Sequence, residues 1–219
     1  MLAKKLIAEF VGTFFLVLVV AMTAFNPALP AGLAPIAIAS VLATMIFALG
    51  HVSGGHFNPI VTVVMVIRGA SAKGELVFYL AAQFLAALAA AWFSLWVGSV
   101  TYGDDLVITA MSLTTTPALL MEILFTFALV LVILNVATAK ALEGNQFFGL
   151  AIGLVVLAGA YVAGPVSGGA FNPAVSISLG TTGIMAWQDL WVHLMGQVAG
   201  GLIALAVFMV TASSDHSDA

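Results

Sequence analysis

The sequence predicts an all-α integral membrane protein of six transmembrane helices plus two re-entrant half-helices, built as an inverted repeat. Three observations carry this. Charged residues are only 6% of the 219 and hydrophobic residues 63%, against roughly 25% charged in an ordinary soluble domain. The few charges punctuate the chain and leave charge-free runs at 10–67, 76–103, 144–188 and 190–214. Landmarks of the first half also recur in the second at nearly constant spacing, 113 or 114 residues, which marks an internal duplication.

The first apolar stretch, near 5–25, follows the basic start MLAKKLIAEF. It has the roughly 20 residues a spanning helix needs. It runs into NPALP without a small-residue cleavage site, so it reads as a first span and not as a signal peptide. Breaks rich in Gly, Pro or charge fall at 26–32, 68–75, 98–117, 140–145 and 180–189. They give further spans near 33–51, 75–97, 117–139, 147–163 and 188–211. Two apolar pieces are left over, 58–68 and 172–180. About ten residues at about 1.5 Å rise cover about 15 Å of a hydrocarbon core about 30 Å thick. Each piece reaches the middle of the bilayer and does not cross it.

With six spans, the N-terminal segment and the second and fourth connections share one side. They hold Lys4 and Lys5, Arg68 and Lys73, and Lys140, which are all five basic residues of the chain. An excess of Lys and Arg faces the cytoplasm, so both termini are expected there. A miscounted helix would scatter these charges over both faces.

The repeat sets the organisation. Glu9 of EFVGTFFL answers to Glu122 of EILFTFAL, VSGGHFNP (52–59) to VSGGAFNP (166–173), and Gln83 of AAQFLAAL to Gln197 of MGQVAGGL. The chain is thus one domain, 1–219, of two repeats, 1–112 and 113–219. Each holds three spans, an odd number, so the second is inverted relative to the first. Inverted repeats commonly place their site near the midplane, where interrupted helices meet.

Both leftover pieces begin at Asn-Pro: Asn58-Pro59-Ile60 and Asn172-Pro173-Ala174. Asn is a favoured N-cap, and Pro at the first helical position gives up an N–H that would be unpaired anyway. The SGG before each is irregular backbone, tolerated at membrane depth only where it is buried or lines a watery cavity. Two half-helices entering from opposite faces bring their positive N-terminal ends together, each worth roughly half an elementary charge. Cations are repelled there, while the Asn amides can donate to a neutral solute. A third FNPA, at 25–28, lacks the SGG and has Pro30 after it; it reads as a turn.

The chain resembles the aquaporin (major intrinsic protein) family over nearly its whole length, through AEFVGTFFL, HVSGGHFNP, Gln83, MEILFTF and GPVSGGAFNPA. The resemblance implies a passive pore for water and small neutral solutes, a homotetramer with one pore per subunit, a bacterial-type inner membrane, and no cofactor. Two departures stand out. Ile60 replaces the usual Ala of the first motif, adding bulk where the half-helices abut unless it packs away from the lumen. Val175 replaces the Arg that usually follows the second motif and supplies the family's outer constriction with fixed charge and donors. By the family's spacing the other constriction positions fall on Ile38, Ala160 and Gly169. The quartet Ile38, Ala160, Gly169 and Val175 is small and apolar, wider and less polar than a water-only filter. The loss of Arg resembles some bacterial aquaporins associated with arsenic resistance. That likeness suggests neutral trivalent or methylated arsenicals beside glycerol-like polyols.

Other residues are weighed against plainer roles. His56 matches the family position whose backbone carbonyl faces the inner vestibule. His51 reads as a packing residue supporting the loop, and His193 stands open between packing and a vestibule contact. Glu9 and Glu122 read as holders of loop N–H groups, Gln83 and Gln197 as interhelical hydrogen-bonders, and the methionines as packing. The absence of Cys and the spacing of the four His leave no metal-ligand pattern, and the small scattered charge implies no nucleic-acid partner. Neither a Gly-x-Ser-x-Gly elbow nor a His-Glu-x-x-His helix supports a hydrolase. The rival readings are a predominantly water-selective pore and an ion-coupled transporter using Glu9 and Glu122.

Overall fold

The computed structural model describes residues 1–212, the side chain of Ala31 excepted; Asp215 and Asp218 lie outside the described residues. Six long apolar helices account for the spans: α1 (Leu2–Phe25), α2 (Ala34–Ser53), α4 (Leu76–Tyr102), α5 (Thr115–Thr138), α6 (Phe148–Ser167) and α8 (Leu190–Thr211). The two leftover pieces are ten-residue helices, α3 (Pro59–Arg68) and α7 (Pro173–Thr182). The architecture is six spanning helices and two half-helices, with no strand among the described residues.

In the first half α1 packs on α2 and α4; in the second α5 packs on α6 and α8. Helices α2 and α6 close the bundle between the halves. The half-helices cross over: α7 packs mainly on α4, and α3 touches α8. The α5–α8 seam is drawn tight by small residues. A Cβ on Gly200 would lie 2.4 Å from the Ile123 carbonyl oxygen and one on Gly196 2.7 Å from Glu122 Cβ, so these backbones meet almost directly.

Some helix ends differ from the sequence expectation. Helix α4 runs through Gly98 to Tyr102. Gly98 is not a stop: it is a notch, where a Cβ would stand 3.2 Å from the Phe25 ring and 3.3 Å from Leu106. Helix α6 continues past Pro165 to Ser167. A proline this close to the end removes one hydrogen bond, and only a few residues remain to be held. Helices α2 and α6 then stop at Gly54 (φ 93°) and Gly168 (φ 84°), left-handed positions that favour glycine.

The basic residues gather at one end. Lys5 pairs with Glu75 at 2.9 Å, Lys140 lies at the same mouth, and Arg68 stacks 5.3 Å from the centroid of the Phe208 ring.

Candidate functional site

The half-helices meet at their capped ends. Asn58 caps α3 by accepting from the Ile60 N–H at 3.1 Å, and Asn172 caps α7 by accepting from the Ala174 N–H at 2.9 Å. Each amide nitrogen then reaches into the other half. Asn58 Nδ2 donates to the Phe171 carbonyl and Asn172 Nδ2 to the Phe57 carbonyl, both at 2.9 Å. Phe57 (φ 47°) and Phe171 (φ 48°) hold left-handed backbone that is uncommon for a residue with a side chain. Their rings secure it. Phe57 fills the space where a Cβ on Gly12 would stand 2.2 Å from the ring, and Phe171 likewise occupies a notch at Gly159. One N–H of each Asn amide is thereby used, leaving the second for the lumen.

Behind each loop stands a buried carboxylate. Glu9 Oε1 accepts from Ser53 Oγ (2.7 Å) and the His56 N–H (3.0 Å); Oε2 accepts from the Phe57 N–H and Gln83 Nε2 (both 2.8 Å). Glu122 repeats this with Ser167 Oγ (2.8 Å), the Ala170 N–H (3.1 Å), the Phe171 N–H (2.9 Å) and Gln197 Nε2 (2.8 Å). Both glutamates are fully buried. Four donors on one carboxylate satisfy the acceptors that a buried charge needs. The glutamines pass the tie on: Gln83 Nε2 donates to Thr62 Oγ1 and Gln197 Nε2 to Ser176 Oγ, each at 2.9 Å. Those hydroxyls donate to the Asn58 and Asn172 carbonyls at 3.1 and 3.2 Å.

Each hydroxyl also meets an imidazole, and here the halves differ. His56 Nδ1 lies 3.1 Å from Thr62 Oγ1, whereas in the second half the ring comes from α8, with His193 Nδ1 3.0 Å from Ser176 Oγ. With the hydroxyl proton on the Asn carbonyl, Nδ1 is the donor in each ring; with the hydroxyl turned to the ring, Nδ1 accepts. His193 is fully buried, which settles it as packing. His51 differs from the packing reading. It is exposed in the last turn of α2 and lines the wide mouth at the basic end.

A lumen passes the two asparagines. Its wall includes Ile38, Ala160, Gly169 and Val175 together with Asn58, Asn172 and His56. It leaves about 90 Å³ for the centres of water-sized molecules, where one water needs roughly 10–15 Å³ by that measure. The lumen thus has room for several waters. At the basic end it opens into a mouth of about 750 Å³ bordered by Lys5, His51, His56, Glu75, Lys140 and Glu143. Among the described residues, no Asp, Glu, Lys or Arg lines the narrow part. Ile60 stays out of it, its Cγ1 2.6 Å from where a Cβ on Gly201 of α8 would be.

Sequence reasoning missed Ser53, Ser167, Thr62 and Ser176, although all four lie in the repeated VSGG and FNP stretches. It also missed the apolar lining from Leu42, Ile133, Ile152 and Val156, which is indistinguishable by composition from residues facing lipid.

Comparison with known proteins accords with this geometry. Nodulin-26 of Glycine max is 33% identical over 219 residues, 97% of this chain and 79% of that protein. Aquaporin NIP3-1 of Arabidopsis thaliana is 38% identical over 213 residues, 91% of this chain and 64% of that one. The X-ray structure of the aquaglyceroporin from Plasmodium falciparum shares the fold, with a TM-score of 0.80 at 21% identity over 99% of this chain and 97% of that one. A family model described as major intrinsic protein matches residues 1–208, and the chain belongs to that family.

Proposed function

We propose that this chain is a passive channel for small uncharged solutes, with an outer constriction formed by Ile38, Ala160, Gly169 and Val175 that admits molecules wider than water. The observation that carries the reading is Val175 in the wall of the lumen beside Asn172, where a charged side chain would narrow the file. Glycerol-like polyols and neutral trivalent or methylated arsenicals are the candidate solutes beside water. Two half-helix N-termini supply the positive potential that repels cations. The proton barrier rests on them and on the asparagines, which break the water file. The subunit works as a homotetramer in lipid, in a bacterial-type inner membrane with both termini cytoplasmic, and its two repeats meet at the 112/113 boundary.

Two rival readings fare worse. A water-selective filter needs polar groups that this quartet lacks. An ion-coupled transporter needs carboxylates that a travelling ion can reach. Glu9 and Glu122 are fully buried, each with four donors, and neither borders the lumen.

The test is stopped-flow flux of water, glycerol, urea and an uncharged arsenical in proteoliposomes, for native protein and Val175→Arg. The guanidinium narrows the passage and adds donors, which exchange with water and obstruct a bulkier solute. Glycerol flux is expected to fall more than water flux. A well-folded variant with the native glycerol-to-water ratio would exclude Val175 from the filter.

A further inference from the structure

The third connection crosses the outer face as a strap whose apolar side chains come down on glycines. Leu106 lies 3.3 Å from where a Cβ on Gly98 would be, Ile108 3.7 Å from that of Gly183, and Met111 Cε and Sδ 2.7 and 3.0 Å from that of Gly168. Backbone contacts fix the register. The Met111 N–H donates to the Ile184 carbonyl at 2.8 Å, and Met111 pairs with Met185 as an isolated parallel bridge. The Met185 N–H in turn donates to the Leu179 carbonyl of α7 at 3.0 Å. The strap is therefore latched to the half-helix that carries Val175.

Gly168 lines the lumen and precedes Gly169 of the outer quartet. Met111 does not line it; the thioether backs the turn from behind. We propose that Met111 is a positioning residue for selectivity, setting how far the Gly168–Gly169 turn can retreat as a wide solute passes. Both residues of that turn hold positive φ, 84° and 62°; their N–H groups are tied to the Gly164 carbonyl (2.9 Å) and Ser167 Oγ (3.1 Å), and on the Cβ side of Gly168 the contact is Met111. An unbranched thioether is a yielding support. It keeps the turn forward for a file of water and gives when something wider pushes.

This proposal rests on the lumen being the solute path, and the experiment separates the two. In proteoliposomes, Val175→Trp should block water and glycerol together. Met111→Ala should raise the glycerol-to-water ratio by roughly threefold, less than a methylene confers in a closed pocket because Met111 acts through the turn and does not touch the solute. Met111→Leu, of similar volume, should keep the native ratio, whereas a merely structural defect would lower both fluxes without moving it. If Met111→Ala does not yield monodisperse protein, Met111→Phe carries the test with the opposite sign, a lower ratio. Should Val175→Trp block flux while the folded Met111 variants keep the native ratio, the role of Met111 is overturned alone. Should Val175→Trp leave flux untouched, the path is wrong and the Met111 proposal falls with it.

Discussion

At Glu122 a single buried carboxylate organises the loop before α7 by accepting four hydrogen bonds. Glu122→Gln keeps the shape and turns one acceptor atom into a donor. If the new amide nitrogen faces Ser167, that hydroxyl can turn to the Ala163 carbonyl, which already lies 3.4 Å away, and accept instead. The Ala170 N–H then still loses its partner. An unsatisfied buried donor costs about 1–3 kcal/mol, so the thermal unfolding midpoint in detergent should drop. Glu9→Gln should drop it by a similar amount, since its bonds match one for one. If only one of the pair matters, the carboxylates do not share a task. Solute flux through either folded variant should remain independent of a proton gradient.

Among the elements, the half-helices show best what sequence can and cannot reveal. Their existence, short length and caps were legible, because Asn-Pro after SGG twice in register has few other physical uses. Their seating was not. Ile60 raised the question of added bulk at the pore, and the answer lies on α8, where Gly201 offers the notch that Ile60 fills. No periodicity pairs residues 60 and 201; the crossing of α3 over α8 comes from tertiary packing. Gly201→Ala should therefore overpack the site and destabilise by about 1–3 kcal/mol. Ile60→Ala alone leaves a cavity costing about 2–5 kcal/mol. Combined, the two should cost less than their sum, with a coupling of about 0.5–3 kcal/mol, read from unfolding midpoints of the four proteins. Strict additivity would mean that Ile60 and Gly201 do not touch. The same limit explains why His193 stayed open. Its partner Ser176 is supplied by another helix, and the equivalent imidazole of the first half sits in a loop.

For the whole molecule, the two ends differ in character because the charged residues are unevenly placed. One holds Lys5, Glu75 and Lys140 around the wide mouth. At the other, the strap carrying Asp104 and Asp105 is latched to the turn after α7 through Met111 and Ile184. With every Lys and Arg of the chain on the segments of the first end, inserting the molecule the other way would carry all five basic residues across the membrane, against the bias that sets orientation. The chain contains no cysteine, so single-cysteine labelling needs no prior substitution. Lys73→Cys and Lys140→Cys should react with an impermeant maleimide only after the cytoplasmic face is opened. Asp104→Cys and Gln188→Cys should react in intact cells; the first three positions and Gln188 are all exposed. Labelling of Lys73→Cys from outside would invert the molecule and, with it, the assignment of the narrow quartet to the outer side. Mixed labelling of both pairs would break the six-span count itself, because an even number of crossings is what puts Lys73 and Lys140 on one face.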